Sequence, residues 1–416
     1  MNAEVVSIGD ELLIGQVINT NQAYIAEKLN SVGISVKQMI TVGDDHEEIL
    51  SALRSAWDTS DVVTVTGGLG PTHDDVTRAA ICGFFGVDLV QDENALANIR
   101  QLFASRGLPI TRTNEDQAMV PRGCAVIPNN HGTAPGYFFE RDGKYMIVMP
   151  GVPYEMTDMV ESFIIPHFVR KITGSHFRHK TLKTTGIVES ILAEHIGDVS
   201  ELFPQKSGIT LAYLPGPLGV RLRISVKSAS KEAAEQKISD VEQKIRGKAQ
   251  KYIYGENDEE LEEVVGKLLT ERGLKIAVAE SCTGGLIADR ITNVSGSSQY
   301  FERGFVTYSN QSKTEELGVS ESILRQHGAV SREVAVAMAE GARKVADTHI
   351  AVSTTGIAGP TGGSEEKPVG LIWMGFSSIE RTFAMKFHFG NNRRRFKERA
   401  SQAALELVRR VLLKIE

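Results

Sequence analysis

One recurring pair constrains this chain most: a short apolar run closed by glycine or a small polar residue, then a segment with helical spacing. "AEVVSIG" (3–9) comes before a helical pattern over Asn21–Val32 that Gly33 ends, and "ISVKQMITVG" (34–43) before another over His46–Trp57. "DVVTVTGG" (61–68) closes in a glycine-rich turn, with helical patterns over Asp75–Phe85 and Asn94–Arg106 beyond it. Alternation of this kind packs as a mostly parallel sheet with helices on both faces. "GYFFERDGKYMIVMPG" (136–151) reads as a hairpin turning at Asp142-Gly143, since Asp-Gly suits the two-residue turns of hairpins.

From about residue 171 the pattern changes. "TLKTTGI", "VESILAEHIG", "GITLAYL", "GVRLRISVK", a helical run over Lys231–Lys248 and "KYIYG" read as β-α-β-β-α-β, the ferredoxin-like plan. Residues 171–251 hold 14 Lys and Arg against 8 Asp and Glu, a local excess of 6 in a chain whose net charge is −6. "GENDEELEE" (255–263) reads as a charged linker entering a helix. A third α/β region follows, with "KIAVAE" (275–280), "HIAVSTTGIAGPTGG" (349–363), the paired strand candidates "VGLIWMGF" and "RTFAMKFHF", and a long helix after Asn391. The expected organisation is a doubly wound, mostly parallel α/β domain over 1–170, an α+β domain over 171–254 and a second α/β domain over 258–416.

At 416 residues and 41% apolar content the chain exceeds one ordinary core. The acidic balance argues against a protein built mainly to coat nucleic acid. Cys82, Cys124 and Cys282 are far apart and in no CxxC, so they form neither a disulfide framework nor a metal cluster. No window nears the roughly 18 apolar residues of a membrane span. These features lead to the expectation of a cytoplasmic protein without a membrane partner.

The third region carries a candidate nucleophile. "AESCTGGLIADR" (279–290) reads as strand, small polar turn, helix, with Ser281 and Cys282 at the turn. Serine needs a base to attack an amide. His327, His349 and His388 stand in no recognisable relation to it and read as structural. "FVTYSNQSKTEELG" (305–318) offers Tyr308 at a strand end and Lys313 at a helix start, and burial lowers a lysine pKa toward that of a usable base. A surface lysine and an edge tyrosine would have the same spacing. Arg393, Arg394 and Arg395 open the last helix; cations there oppose the macrodipole unless an anion binds.

In the first region "TGGLGPTHDD" (66–75) puts Gly67, Gly68 and Gly70 where backbone approaches a phosphate, with Asp74 and Asp75 closing the turn. Asp74 also reads as a helix cap. "GDELLIG" puts Asp10 and Glu11 after the first strand, on the same sheet edge if the sheet is parallel. Carboxylates there suit a divalent cation. No Gly-Lys-Ser/Thr follows the glycines, so this is not a Walker loop.

"AESCTGG", "YSNQSK", "TTGIAGPTGG" and the arginine-rich helix start resemble the C-terminal domain of the CinA family, a nicotinamide-nucleotide amidase. "GDELLIGQVINTN", "TGGLGPTHDD", "NHGTAPGY" and "MPGVPYEM" resemble that family's N-terminal, molybdopterin-binding-like (MoaB/MogA-like) domain. The resemblance spans nearly the whole chain. It implies a bifunctional enzyme of pyridine-nucleotide salvage, acting on nicotinamide mononucleotide and, with a divalent cation (Mg, Mn or Co), on ADP-ribose. Ser281 would be the nucleophile, activated by Lys313 with Tyr308, and no cofactor would serve the amidase. Thr283, Gly284, Thr355 and Gly356 map onto substrate-facing turns, and one of Arg393 to Arg395 onto a phosphate clamp. Asp10, Asp74, Asp75 and Glu155 are carried over as metal or catalytic carboxylates. The resemblance also implies a KH-like middle domain and a homodimer. "PGPLGV" (215–220) spells a GxxG, but between strands and without Lys or Arg; it reads as a hairpin loop, so nucleic acid is not the expected partner. A nucleic-acid partner of recombination and a molybdopterin-binding protein are the competing readings.

Overall fold

The computed structural model describes residues 1–70, 76–171 and 176–415, with only the backbone of His176. The chain folds into two compact units, Met1–Arg178 with Val226–Glu235, and His179–Ser225 with Gln236–Glu416.

The first unit holds β1 (Asn2–Ile8), α1 (Asp10–Leu13), α2 (Thr20–Ser31), β2 (Ser35–Val42), α3 (His46–Thr59), β3 (Val62–Thr66), α4 (Thr77–Phe85), β4 (Leu89–Gln91) and α5 (Glu93–Ser105). Then come α6 (Arg112–Glu115), β5 (Met119–Pro121), β6 (Ala125–Ile127), β7 (Gly136–Arg141), β8 (Lys144–Met149), α7 (Pro153–Met159) and α8 (Ile165–Lys171). Six strands form one sheet in the order β2-β1-β3-β8-β7-β6, while β4 and β5 make a separate ribbon. β1 pairs parallel with β2 and β3, and β3 with β8. β7 is antiparallel to both neighbours, so β6 runs with β8. The expected hairpin is β7–β8, with positive φ at Asp142 and Gly143 as a type I′ turn requires. One core lies between the sheet and α3 and α4, another between the sheet and α2, α7 and α8. That is the doubly wound plan read from the alternation. The "GDELL" turn is a single helical turn, α1.

The middle segment contributes β9 (His176–Thr184), α9 (Glu189–Ile196), β10 (Ile209–Gly216), β11 (Gly219–Ser228), α10 (Lys231–Ala249) and β12 (Ile253–Glu256), in sheet order β10-β11-β9-β12. This is the ferredoxin-like order. β10 and β11 are joined through Pro217-Leu218, so the GxxG is a hairpin loop as expected.

Next come α11 (Leu261–Glu271), β13 (Ile276–Glu280), α12 (Leu286–Thr292), β14 (Phe301–Val306), α13 (Asn310–Leu317), α14 (Glu321–His327), α15 (Arg332–Val345), β15 (Ile350–Gly356), β16 (Leu371–Ser378), β17 (Thr382–His388) and α16 (Arg393–Leu413). The sheet order is β14-β13-β15-β16-β17. The first three strands are parallel, and the last two close the sheet antiparallel. On α16, Phe396, Ala400, Ala404, Val408 and Leu412 recur every fourth residue and bury against β13, β15 and β16 with α11 and α12. The rear of α16 binds the middle segment. Gln402 Nε2 donates to Thr185 Oγ1 at 3.3 Å, and Arg409 Nη2 donates to Lys251 O at 2.7 Å while its side chain pairs with Glu406.

Phe396 is fully buried at the start of this stripe. Phe396→Ala should lower the stability of the second unit by about 3–5 kcal/mol, read from equilibrium urea unfolding. An unchanged midpoint would mean that the stripe does not anchor the helix.

Candidate active sites

In the second unit the strand order changes direction at β13: the chain passes from β13 to β14 on one side, then returns to β15 on the other. Ligands of open α/β sheets bind at the carboxyl ends of strands beside such a switch. Ser281 is the first residue past β13, and its amide donates to Thr354 O on β15 at 3.0 Å. Glu280, the last residue of β13, is fully buried. Its carboxylate accepts from the amides of Gly285 (3.0 Å), Ile287 (3.1 Å) and Ala288 (2.9 Å), so the start of α12 is tied back to the strand end. The turn 281–284 is pinned at both ends.

Lys313 enters from the first turn of α13, capped by Ser309. Its side chain is 1% exposed. Nζ donates to Thr307 O at 2.8 Å, Tyr308 O at 3.3 Å and Ser309 O at 3.4 Å, and lies 3.3 Å from Ser281 Oγ. Burial holds its pKa below the ordinary lysine value of 10.5. Cys282 is turned into the core, and burial pushes its thiol up to about 12, so it stays protonated. The three histidines of this region stand apart from the pair; His349 Nδ1 accepts the amide of Lys275 at 2.9 Å.

The other expected residues divide. Tyr308 is 62% exposed and approaches Lys313 through its carbonyl, while its hydroxyl accepts from Arg393 Nη2 at 2.8 Å. Arg393 also donates to Gly359 O at 3.1 Å, whereas Arg394 pairs with Glu398 and Arg395 is exposed. Thr283 and Thr355, expected on substrate-facing turns, direct their side chains into the protein. Both are buried, Thr283 hydroxyl to hydroxyl with Thr354 at 2.7 Å, and Thr355 donating to Ala329 O at 2.7 Å. The edge of β16 crowds Gly356, where a side chain would meet Leu371 O at 2.7 Å. Gly284 does stand at the turn, and it exposes a residue that sequence reasoning missed. Lys397, one helical turn after Arg393, places Nζ 3.4 Å from where a Cβ at Gly284 would sit. Its ammonium makes no ion pair or hydrogen bond with a described residue. Glu280 was missed too, since a buried glutamate ending an apolar run resembles no capping signal.

In the first unit the antiparallel β7 brings the end of β6 to the same edge as the ends of β1, β3 and β8. The described parts of the four motifs singled out in this unit therefore meet on one rim. Gly67 is required there: its φ is +112°, and a Cβ would come 2.1 Å from Ile8 O on β1. A cavity of about 90 Å³ at the β1–β3 switch is lined by Ser7, Glu11, Asn19, Asn21 and Thr66 among others. Ser7 Oγ, Asn19 Nδ2 and Asn21 Oδ1 are buried without partners among the described residues. Such orphaned polar atoms need a water or ligand. The Asp10 carboxylate accepts from the Asp44 amide at 3.2 Å while the Asp10 amide donates to the Asp44 carboxylate at 3.0 Å, and Glu11 rather than Asp10 lines the cavity. Glu155 is buried on α7 and accepts from Asn129 Nδ2 at 2.8 Å. Asp74 and Asp75 lie outside the described residues, and Gly68 and Gly70 lead into that stretch. Among the described residues no three His, Cys, Asp or Glu side chains gather.

Three family models cover this chain: the CinA C-terminal domain over 258–412, a "Probable molybdopterin binding domain" over 4–170, and the "Damage-inducible protein CinA KH domain" over 179–255. A "Putative competence-damage inducible protein" of Caldicellulosiruptor saccharolyticus is 45% identical, across 99% of this chain and 100% of its own length. The chain belongs to the CinA family. A "CinA-like protein" of Chloroherpeton thalassium is 46% identical across 99% of both chains. Among solved structures, the competence/damage inducible protein CihA of Agrobacterium tumefaciens is 41% identical, covering 37% of this chain and 93% of its own, with a TM-score of 0.36. No helix among the described residues is long and apolar enough to cross a membrane.

If Lys313 is the base, activity should rise with pH as its ammonium loses a proton, with a midpoint below 10.5. Lys313→Arg should then fail almost as badly as Lys313→Ala, by about 100- to 10,000-fold in kcat, because arginine keeps its proton. A Lys313→Arg enzyme retaining most of its kcat would leave the lysine an electrostatic anchor only.

Proposed function

We propose that the second unit hydrolyses the amide of nicotinamide mononucleotide to nicotinate mononucleotide and ammonia. The observation that carries this is a fully buried lysine, uncompensated by a carboxylate among the described residues, 3.3 Å from a serine at the switch point. Neutral Nζ keeps two N–H bonds to its carbonyl partners and offers its lone pair to the serine hydroxyl. Ser281 Oγ then bonds to the amide carbon while its proton passes to Nζ. The amides of Cys282 and Thr283, which donate to no other described residue, would be the donors to the developing oxyanion. Collapse breaks the C–N bond, and Nζ returns the proton to the departing ammonia. Water then cleaves the ester with Lys313 again as base. Arg393 and Lys397 share a face of α16 beside this turn and would hold the substrate phosphate. The clamp is therefore assigned to Arg393 with Lys397, and not to Arg394 or Arg395.

The first unit, in the same proposal, cleaves ADP-ribose to AMP and ribose 5-phosphate. The orphaned oxygens of Ser7 and Asn21, together with Glu11, are a donor set of the kind a hard divalent cation takes. These residues would hold it, with Asp74 and Asp75 as further candidates, and the bound cation would neutralise charge on the pyrophosphate. Glu155 would orient a water through its hydrogen-bonded carboxylate.

Two measurements test the assignments. Ser281→Ala should abolish ammonia release from nicotinamide mononucleotide while Cys282→Ala keeps most of it; the reverse would exchange their roles. A chelator should silence ADP-ribose cleavage and leave ammonia release untouched. Equal loss of both would break the division of labour.

A further inference from the structure

Along α16 from the proposed phosphate clamp lies a buried charge that the amide chemistry does not use. Arg290, on α12, is 9% exposed. Its guanidinium makes a forked ion pair with Glu262 on α11, Nε to Oε1 at 3.3 Å and Nη2 to Oε2 at 2.6 Å. The same group reaches α16, where Nη1 donates to Ser401 Oγ at 3.1 Å and Nη2 to Gln402 Oε1 at 2.8 Å. Ser401 and Gln402 are both buried. One side chain thus bonds two further helices with every nitrogen of its fork.

Stability does not account for this ion pair. Desolvating two charges offsets most of their attraction, and apolar residues of similar volume often hold a core as well or better. What a planar fork supplies, and an apolar contact does not, is direction. Direction matters at this joint. Ala400 and Ala404 of α16 share a core with Ile287 and Ile291 of α12. Small side chains make shallow ridges, which specify poorly how far one helix slides along another.

Height along α16 is what the clamp depends on. Arg393, Lys397 and Ser401 follow one another every fourth residue, so Ser401 continues the clamp's own stripe, about 6 Å along the axis from Lys397. At the start of α12, Glu280 binds the amides of Gly285, Ile287 and Ala288, which sets that helix against the Ser281 turn. Arg290 therefore joins the helix fixed to the nucleophile to the helix that carries the cations.

We propose that Arg290 is a positioning residue: through Ser401 and Gln402 it sets the height of α16 over α12, and so places Arg393 and Lys397 to receive the substrate phosphate. The identity of the substrate rests on the amidase reading; the hold of Arg290 on an anion site at Lys397 does not.

The test measures binding by calorimetry in the full-length chain carrying Ser281→Ala, so that no ligand turns over. The probes are nicotinamide mononucleotide and the same nucleoside without its phosphate. Replacing the ion pair by Arg290→Met with Glu262→Met should leave the melting temperature no lower, weaken the nucleotide about tenfold and leave the nucleoside unchanged. Adding Lys397→Ala to that pair should cost little more, because both changes act on one contact. Ser401→Ala, which keeps the ion pair, should show the same selectivity at about threefold. Equal nucleotide affinity with and without the ion pair, equal loss of both probes, or an additive loss with Lys397→Ala overturns the assignment. So does a nucleotide that binds no tighter than the nucleoside while the ion pair is intact. Phosphate-selective loss in these variants, in a protein whose wild-type chain releases no ammonia from the nucleotide, would sink the amidase reading and keep Arg290 as the positioning residue.

Discussion

The site in the second unit depends on one buried carboxylate. Glu280 takes three amides from the start of α12, and this fixes where the chain between strand and helix must pass. Without it, three donors would lose their partners, at a cost of about 1–3 kcal/mol for the buried Ile287 amide and less for the half-buried amides of Gly285 and Ala288. Because the turn is held at Glu280 and again where the Ser281 amide meets Thr354 O, the Ser281 side chain needs no interaction of its own to be placed. Its hydroxyl is left for Lys313, and the amides of Cys282 and Thr283 are left for a ligand.

The same economy governs Lys313. Its stem is buried and its head is met by carbonyls, not carboxylates. A carboxylate would stabilise the charged form and raise the pKa; carbonyls allow the neutral amine at lower cost. Since the folded-state pKa is depressed, the unfolded chain binds more protons in the window between the two values. Stability therefore rises with pH through that window. The cost of holding a reactive amine falls on the fold at neutral pH, a common trade at functional sites.

Much of this was legible in the chain. Runs such as "KIAVAE" and "DVVTVTGG" locate strands because burial on both faces leaves no charged residue to interrupt them, and Asp142-Gly143 locates a hairpin because few residues tolerate positive φ twice. Ser281 and Lys313 were nameable from the sequence, but that they meet followed only from family likeness, because 32 residues of separation carry no local signal. Where the Thr283 and Thr355 hydroxyls point was not legible, because a strand-end threonine looks the same whether its hydroxyl serves a ligand or the protein. Lys397 was hidden by three adjacent arginines, and only the helix period shows that it shares a face with Arg393. Asp10 and Glu11 are neighbours in sequence, yet α1 turns them apart, and a one-turn helix leaves almost no periodic signal.

The account stands on Ser281 attacking through Lys313, and a trapped intermediate tests it most directly. Wild-type protein mixed with nicotinamide mononucleotide, quenched in acid within a turnover and digested, should yield the peptide that contains Ser281 carrying an ester to the nicotinoyl nucleotide. Lys313→Ala should yield none. An adduct on Cys282, or steady ammonia release with no adduct on any residue, would contradict it.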